Sequence, residues 1–154
     1  MRTDLAVYRD DGPLAALIGS RLARAEHRRL GWLVPPLLRA VEYGALIAIT
    51  VLFEPAALPA CFALLAAVAF HHYDTVYRLR HQRIGPPAWL CLAGGGWEIR
   101  LLVAAVLAAI GGLGIGMTVA AIALGVLYVA ESVAGWRRLR QPAVHYEDEE
   151  GEEE

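Results

Sequence analysis

Residues 71–100 read HHYDTVYRLRHQRIGPPAWLCLAGGGWEIR and form the one long polar interval between two apolar blocks of the chain. The interval holds three of the five histidines, a double proline and a triple glycine. The whole chain is 57% hydrophobic, and its apolar residues are grouped in long runs. Because such runs are typical of helices that cross a bilayer, the sequence predicts an all-α membrane protein.

Four apolar segments are predicted to span the membrane. They cover residues 37–53, 56–73, 99–112 and 117–136, within a membrane domain at residues 14–140. Each is near the ~20 residues that a spanning helix needs, and the third is the shortest. A short turn that begins at Glu54 separates the first two segments, and a turn with Gly112, Gly114 and Gly116 separates the last two. The polar interval therefore joins two predicted helical hairpins.

The positions of the arginines predict the orientation. All 14 basic residues are arginine, and the composition is typical of a GC-rich bacterial genome. Arginines lie before the first segment, in the polar interval and after the fourth segment, whereas the two short turns have none. The positive-inside rule then predicts a bacterial inner-membrane protein with both termini in the cytoplasm. The turn near residue 114 is expected outside and residue 83 inside.

The two ends of the chain differ in character from the predicted spans. Residues 1–13 are predicted to be flexible, and residues 14–33 to form an amphipathic helix. That helix could lie on the membrane with its arginines toward anionic lipid, or pack on the protein itself. Residues 141–154 form an acidic tail that is predicted to be disordered, either simply solvated or bound to a basic partner. We expect no nucleic-acid partner.

One face of the helix predicted at the start of the interval carries an unusual set of side chains. At about 100° per residue, His71, Asp74, Arg78 and His81 fall on one arc. Asp74 precedes Arg78 by four residues, a spacing that favours an ion pair on a helix. This face is either a solvated helix end with interfacial tyrosines or part of a headgroup site.

All four predicted spans place ionisable side chains near the cytoplasmic face. The candidate residues are Arg39, Glu42, His71, Asp74, Arg78, Glu98, Arg100 and Glu131. Charges in that zone cost several kcal/mol unless they are paired or hydrated. We therefore expect Glu131 to be paired, and we expect Glu54, in the outer turn, to be dispensable.

Three interpretations of this cluster stay open. In the first, the arginines at positions 39, 78 and 100 neutralise the four carboxylates as a structural network. In the second, a lipid phosphate lies between Arg78 and Arg100, which brings Asp74 close to Glu98 or Arg100. In the third, His71, Asp74, Glu98 and Glu131 hold a divalent cation, the only cofactor that the sequence suggests.

Small residues and cysteines carry weaker signals. Ala104, Ala108, Gly112 and Gly116 repeat every four residues, as do Ala121 and Gly125. Such spacing lets membrane helices pack closely, within one chain or in a homo-oligomer. Cys61 and Cys91 have no metal-binding spacing, so both are expected to be free thiols with a packing role.

Three segments carry a resemblance to a known family. At HHYDTVYRLRHQ, PPAWL and GGGWEIRLL the chain resembles an uncharacterised actinobacterial integral-membrane domain that occurs alongside or fused to CDP-alcohol phosphatidyltransferases. The resemblance covers about residues 14–140 and implies a setting in phospholipid or glycolipid synthesis. The phosphatidyltransferase signature, Asp-Gly-x2-Ala-Arg followed by Gly-x3-Asp-x3-Asp, is absent from this chain.

Two classes of function are consistent with these observations. The first is a non-catalytic partner or scaffold for a lipid-synthesis enzyme in the bilayer. The second is a small membrane enzyme or lipid-binding protein that uses the cytoplasmic cluster on anionic lipid. The resemblance identifies no catalytic residues in this chain. The absence of the phosphatidyltransferase signature favours the first class.

Overall fold

The computed structural model describes residues 34–82, 85 and 87–139, and every regular element in them is helical. The helices are α1 (Val34–Phe53), α2 (Leu58–Gln82), α3 (Ala88–Gly94), α4 (Gly96–Ala109) and α5 (Leu113–Leu139). A short 3-10 helix, Pro55–Ala57, connects α1 to α2. The all-α prediction is confirmed. The segments predicted at residues 1–13, 14–33 and 141–154 lie outside the described residues.

Three of these helices are long and apolar enough to cross a membrane. The candidate spans are Pro36–Phe53, Pro55–His81 and Leu113–Arg138. Large apolar side chains point outward along them, among them Leu52 at 77% exposure and Ile115 at 78%. Surfaces of this kind are rare on water-soluble monomers, so the exterior suits a lipid environment. Helix α4 has 14 residues, about 21 Å at 1.5 Å per residue, which is shorter than the ~30 Å hydrocarbon core.

The boundaries of α4 and α5 differ from those predicted. Helix α4 begins at Gly96, three residues before the predicted start at 99, and ends at Ala109 rather than 112. A sharp turn precedes α4, where Gly95 and Gly96 have φ of 69° and 62°. The turn after α4 uses Gly111, whose φ is 71°. Helix α5 therefore starts at Leu113, ahead of the predicted residue 117.

The polar interval is more helical than expected. Helix α2 continues without a break to Gln82, which confirms the helix predicted to carry His71 and His81 and extends it past the predicted end of the second span at residue 73. Before α4, the short helix α3 begins after Pro87, whose carbonyl accepts a hydrogen bond from the Leu90 N–H at 2.9 Å. Proline suits this position because a residue that starts a helix needs no N–H partner.

The core lies where α2 packs along α5, with α1 and α4 completing it. Its buried members are Leu46, Cys61, Leu64, Leu65, Val68, Ala104, Leu113 and Met117. Gly125 on α5 faces α2, where an added Cβ would make an ordinary van der Waals contact with the Cβ of Ala67 at 3.8 Å. The packing role predicted for Cys61 is confirmed.

Glu54 has a structural role that the sequence prediction missed. The N–H of Gly114 in the first turn of α5 donates a hydrogen bond to Glu54 Oε2 at 3.2 Å. The first N–H groups of a helix have no partner inside the helix, and a carboxylate there also interacts well with the helix dipole. Glu54 thus connects the end of α1 to the start of α5, and this contact argues against the expectation that Glu54 is dispensable.

Replacing Glu54 by alanine should destabilise the protein because α5 loses this N-terminal acceptor. We expect the free energy of unfolding to fall by about 1 kcal/mol, the usual effect of removing a helix cap. Glu54→Gln keeps an oxygen acceptor and should retain most of the stability. Thermal unfolding in detergent, followed by circular dichroism, measures both variants. Equal stability of wild type and Glu54→Ala would contradict the capping role.

Candidate functional site

The predicted polar face of α2 is buried for three of its four members. His71, Asp74 and Arg78 are all less than 9% exposed, whereas His81 lies on the surface. The His81 ring stacks on Tyr77 of the preceding turn, with ring centroids 4.2 Å apart. The face therefore points into the bundle, and its last member lies beyond the region that the neighbouring helices cover.

Arg78 is the centre of the first ion-pair cluster. Its Nε donates to Asp74 Oδ2 at 2.8 Å, and its Nη2 contacts the same oxygen. On α5, Glu131 accepts from Arg78 Nη1 at 3.1 Å and from Nη2 at 2.5 Å. The planar guanidinium is suited to this forked contact, which is stronger than a single hydrogen bond. One cation thus joins α2 to α5 through two carboxylates.

Two small residues of α5 complete the environment of Arg78. The hydroxyl of Ser132 donates to Asp74 Oδ1 at 3.1 Å, which occupies the second oxygen of that carboxylate. Gly135 leaves room for the guanidinium, because a Cβ at that position would lie 2.7 Å from Arg78 Nη1. The pairing of Arg78 therefore depends on a serine and a glycine, neither of which carries a charge.

A second cluster surrounds Glu42 on α1, whose side chain is fully buried. Arg100 of α4 donates to Glu42 Oε1 from Nε at 2.9 Å and from Nη2 at 2.6 Å. Arg39 donates to Glu42 Oε2 at 3.1 Å from one turn earlier on α1. The remaining Arg100 nitrogen, Nη1, donates to the carbonyl oxygen of Gly94 at 2.8 Å. This cluster joins α1 to α4 and to the end of α3.

An aromatic contact lies between the two clusters. The rings of His71 and Tyr128 stack at a centroid distance of 4.1 Å and an interplanar angle of 11°. The Tyr128 hydroxyl reaches Gly94, where an added Cβ would lie 2.6 Å from it. Gly94 thus contacts Tyr128 on one side and Arg100 on the other. Only a residue without a side chain fits this position.

The predicted structural network is confirmed for three of its four carboxylates. Glu42, Asp74 and Glu131 are each paired with an arginine, as expected for charges inside an apolar bundle. The contact of Asp74 with Arg100, expected in the phosphate interpretation as one of two possibilities, is not formed, because Arg100 binds Glu42 and the Gly94 carbonyl. Glu98, which was expected near Asp74, lies half-buried in the first turn of α4.

The metal interpretation has no geometric support in the described part of the chain. No group of three or more His, Cys, Asp or Glu side chains there is arranged to hold a metal ion. Of the four proposed ligands, His71 stacks on Tyr128, while Asp74 and Glu131 surround a guanidinium. A divalent cation beside Arg78 would meet like-charge repulsion.

Four residues that were not among the candidate site residues also shape the site. They are Gly94, Tyr128, Ser132 and Gly135. The last three lie on α5 at spacings of four and three residues, which place them on one face of the helix beside Glu131. A stripe of polar and small residues on an otherwise apolar helix was the available signal. Nothing in the sequence around Gly94 distinguishes it from the next two glycines.

The fold and the clusters together define a class: a helical protein with membrane-like helices whose interior charges are paired. The model of a family of unknown function (DUF5941) matches residues 4–154, and the chain belongs to that family. No curated protein and no solved structure matches the chain.

Replacing Arg78 should be far more damaging than replacing an exposed arginine on the same helix. Arg78→Gln leaves two buried carboxylates without their cation, which typically costs about 3–5 kcal/mol. Arg80→Gln, two residues away on the surface, is the matched control and should change stability by less than about 0.5 kcal/mol. Resistance to thermal unfolding in detergent reports the difference. Equal behaviour of the two variants would show that the cluster is not structural.

Proposed function

We propose that this chain is an integral protein of the bacterial inner membrane that serves as a non-catalytic partner or scaffold for a phospholipid- or glycolipid-synthesis enzyme. The observation that carries the proposal is the internal pairing of the buried charges. Arg78 pairs with Glu131 and Arg100 pairs with Glu42 across helices, while Asp74 pairs with Arg78 within α2. Side chains that are paired in this way hold helices together, and few of their charged atoms are left to act on a substrate.

The proposed topology has four crossings with both termini in the cytoplasm. Helices α1, α2 and α5 are the long candidates, and α4 would be the fourth. The arginine-bearing ends of α2 and α5 then face the cytoplasm, where positive charge is favoured. The short connection at Glu54 and the turn at Gly111 lie at the opposite end. A thinner local bilayer would accommodate the 14-residue α4.

The alternative, a small membrane enzyme or lipid-binding protein that uses the charged cluster itself, has weaker support. Arg78 and Arg100 were the expected phosphate ligands, yet both guanidinium groups already bind carboxylates and, for Arg100, a backbone carbonyl. A phosphate on Arg78 would have to displace Glu131 and leave that carboxylate buried without its cation, and a phosphate on Arg100 would leave Glu42 with only its contact to Arg39. Such an exchange costs several kcal/mol.

The link to lipid synthesis rests on the resemblance of the polar interval to membrane domains found beside CDP-alcohol phosphatidyltransferases. A scaffold needs an outer surface on which a partner can pack. The exposed apolar faces of α1, α4 and α5 offer such a surface within the bilayer. Contacts of this kind between membrane helices rely on close packing, for which the many alanine and glycine residues are suited.

Cysteine labelling in intact cells tests the topology. Gly114 leaves no room for a side chain beside Glu54, so Gly112 is the better outer probe position. In a background of Cys61→Ala and Cys91→Ala, we expect an impermeant maleimide to label Gly112→Cys from outside. Arg83→Cys should react only after the inner face is opened. The reverse pattern would reject the proposed orientation.

Lipid synthesis in membranes that lack the chain tests the scaffold role. We expect slower incorporation of a labelled CDP-alcohol into phospholipid after deletion, restored by the wild-type chain and by Arg80→Gln. The purified chain alone should convert no lipid precursor. Conversion by the purified chain would instead support the enzyme alternative, and unchanged synthesis after deletion would reject both lipid-synthesis roles.

A further inference from the structure

A surface groove between α3 and α5 lies beside the Arg78 cluster but is not part of it. The groove has a volume of about 270 Å³ and is lined by Trp89, Leu127, Ala130, Glu131, Ala134 and Arg138. Its length follows α5 over three turns, from Leu127 to Arg138. The floor is made of small and aliphatic residues, and the Trp89 ring, 54% exposed, forms a wall on the α3 side.

The two charged residues of the groove, Glu131 and Arg138, differ in whether they form an ion pair among the described residues. Glu131 uses both carboxylate oxygens to bind Arg78, which offsets its charge. Arg138 is exposed and has no ion-pair partner among the residues that the structure describes. The next residue back, Arg137, is also exposed, so this end of α5 is basic. The groove thus has an apolar floor along its length, and the side chain at its end, Arg138, is a cation that no described carboxylate pairs.

We propose that this groove binds a glycerophospholipid of the surrounding bilayer, with its phosphate on Arg138 and one acyl chain along Leu127 and Ala130. Arg138 is seven residues beyond Glu131, about 10 Å along the helix at 1.5 Å per residue. The phosphate is therefore kept away from the carboxylate. The exposed indole of Trp89 packs beside the glycerol region, the depth at which tryptophan is enriched in membrane proteins.

Charge and shape both match this occupant. A guanidinium binds a phosphate through two parallel N–H donors, and it is the side chain best suited to that geometry. Leu127, Ala130 and Ala134 leave a shallow apolar channel below it, which a soluble anion could not use. The inference rests on the proposed insertion in a membrane, but not on the proposed partner enzyme.

Retention of radiolabelled phosphatidylglycerol by the immobilised full-length protein in detergent micelles tests the proposal. Unlabelled phosphatidylglycerol should displace the label. Diacylglycerol, which has the chains without the phosphate, should compete roughly tenfold less well, as expected for loss of one charge-assisted contact. Inorganic phosphate, which lacks the chains, should not compete. Equal competition by diacylglycerol, or displacement by inorganic phosphate, would overturn the proposal.

Two matched pairs of variants locate the site. Arg138→Gln should weaken retention roughly tenfold, whereas Arg137→Gln, one residue away on a different face of α5, should leave it unchanged. Ala130→Leu fills the channel and should also abolish retention, whereas Ala105→Leu, on the exposed face of α4, should not. Equal losses of retention for Arg138→Gln and Arg137→Gln would overturn the proposal, because the lipid would then be attracted by the positive charge of the helix end and not by the groove.

Correct insertion of each variant is measured in intact cells before the protein is purified for the retention assay. The maleimide labelling pattern at Gly112→Cys and Arg83→Cys reports whether each variant keeps the proposed topology. A protein that keeps that pattern and retains no phosphatidylglycerol would refute the groove and leave the scaffold role intact. Slower lipid synthesis on deletion, measured separately, depends on the partner and not on this groove.

Discussion

The forked contact of Arg78 with Asp74 and Glu131 is the constraint on which the arrangement of the helices depends. A charge inside an apolar bundle is tolerated only when it is paired, so α2 and α5 must place these three side chains together. A slide of α5 by one residue would shift Glu131 by about 1.5 Å and break the parallel hydrogen bonds. Apolar packing alone allows many registers, and the ion pair selects one.

The Glu42–Arg100 pair has the same effect on the other half of the molecule. Helix α4 has 14 residues and an apolar surface on most sides, so packing gives it little preference for one rotation. Arg100 fixes that rotation because its guanidinium binds Glu42 on α1 and the carbonyl of Gly94. The hydroxyl of Tyr128 on α5 also lies close to Gly94. Gly94 therefore links Arg100 to Tyr128, which stacks on His71 of α2, and this couples α4 to the α2–α5 pair.

Sequence reasoning found the features that depend on local spacing or on the cost of burying charge. The pairing of Asp74 with Arg78 followed from the four-residue spacing, and the pairing of Glu131 followed from its position in an apolar helix. The partner of Arg100 could not be derived, because it depends on how α1 and α4 are rotated about their axes. The Glu54 contact with Gly114 joins residues that are sixty positions apart. Both depend on tertiary packing, which periodicity does not specify.

Among the residues that the structure describes, interior and exposed arginines differ, and the difference decides where a ligand can bind. Arg78 and Arg100 are already bound inside the bundle, and an incoming anion could reach them only by taking a cation from Glu131 or Glu42. Arg138 is about two helical turns beyond Glu131, exposed at the end of an open groove. An anion bound there breaks no ion pair among the residues that the structure describes. The same residue type therefore has a structural role in the interior and a binding role at the rim, because only the interior site carries the cost of an unpaired buried charge.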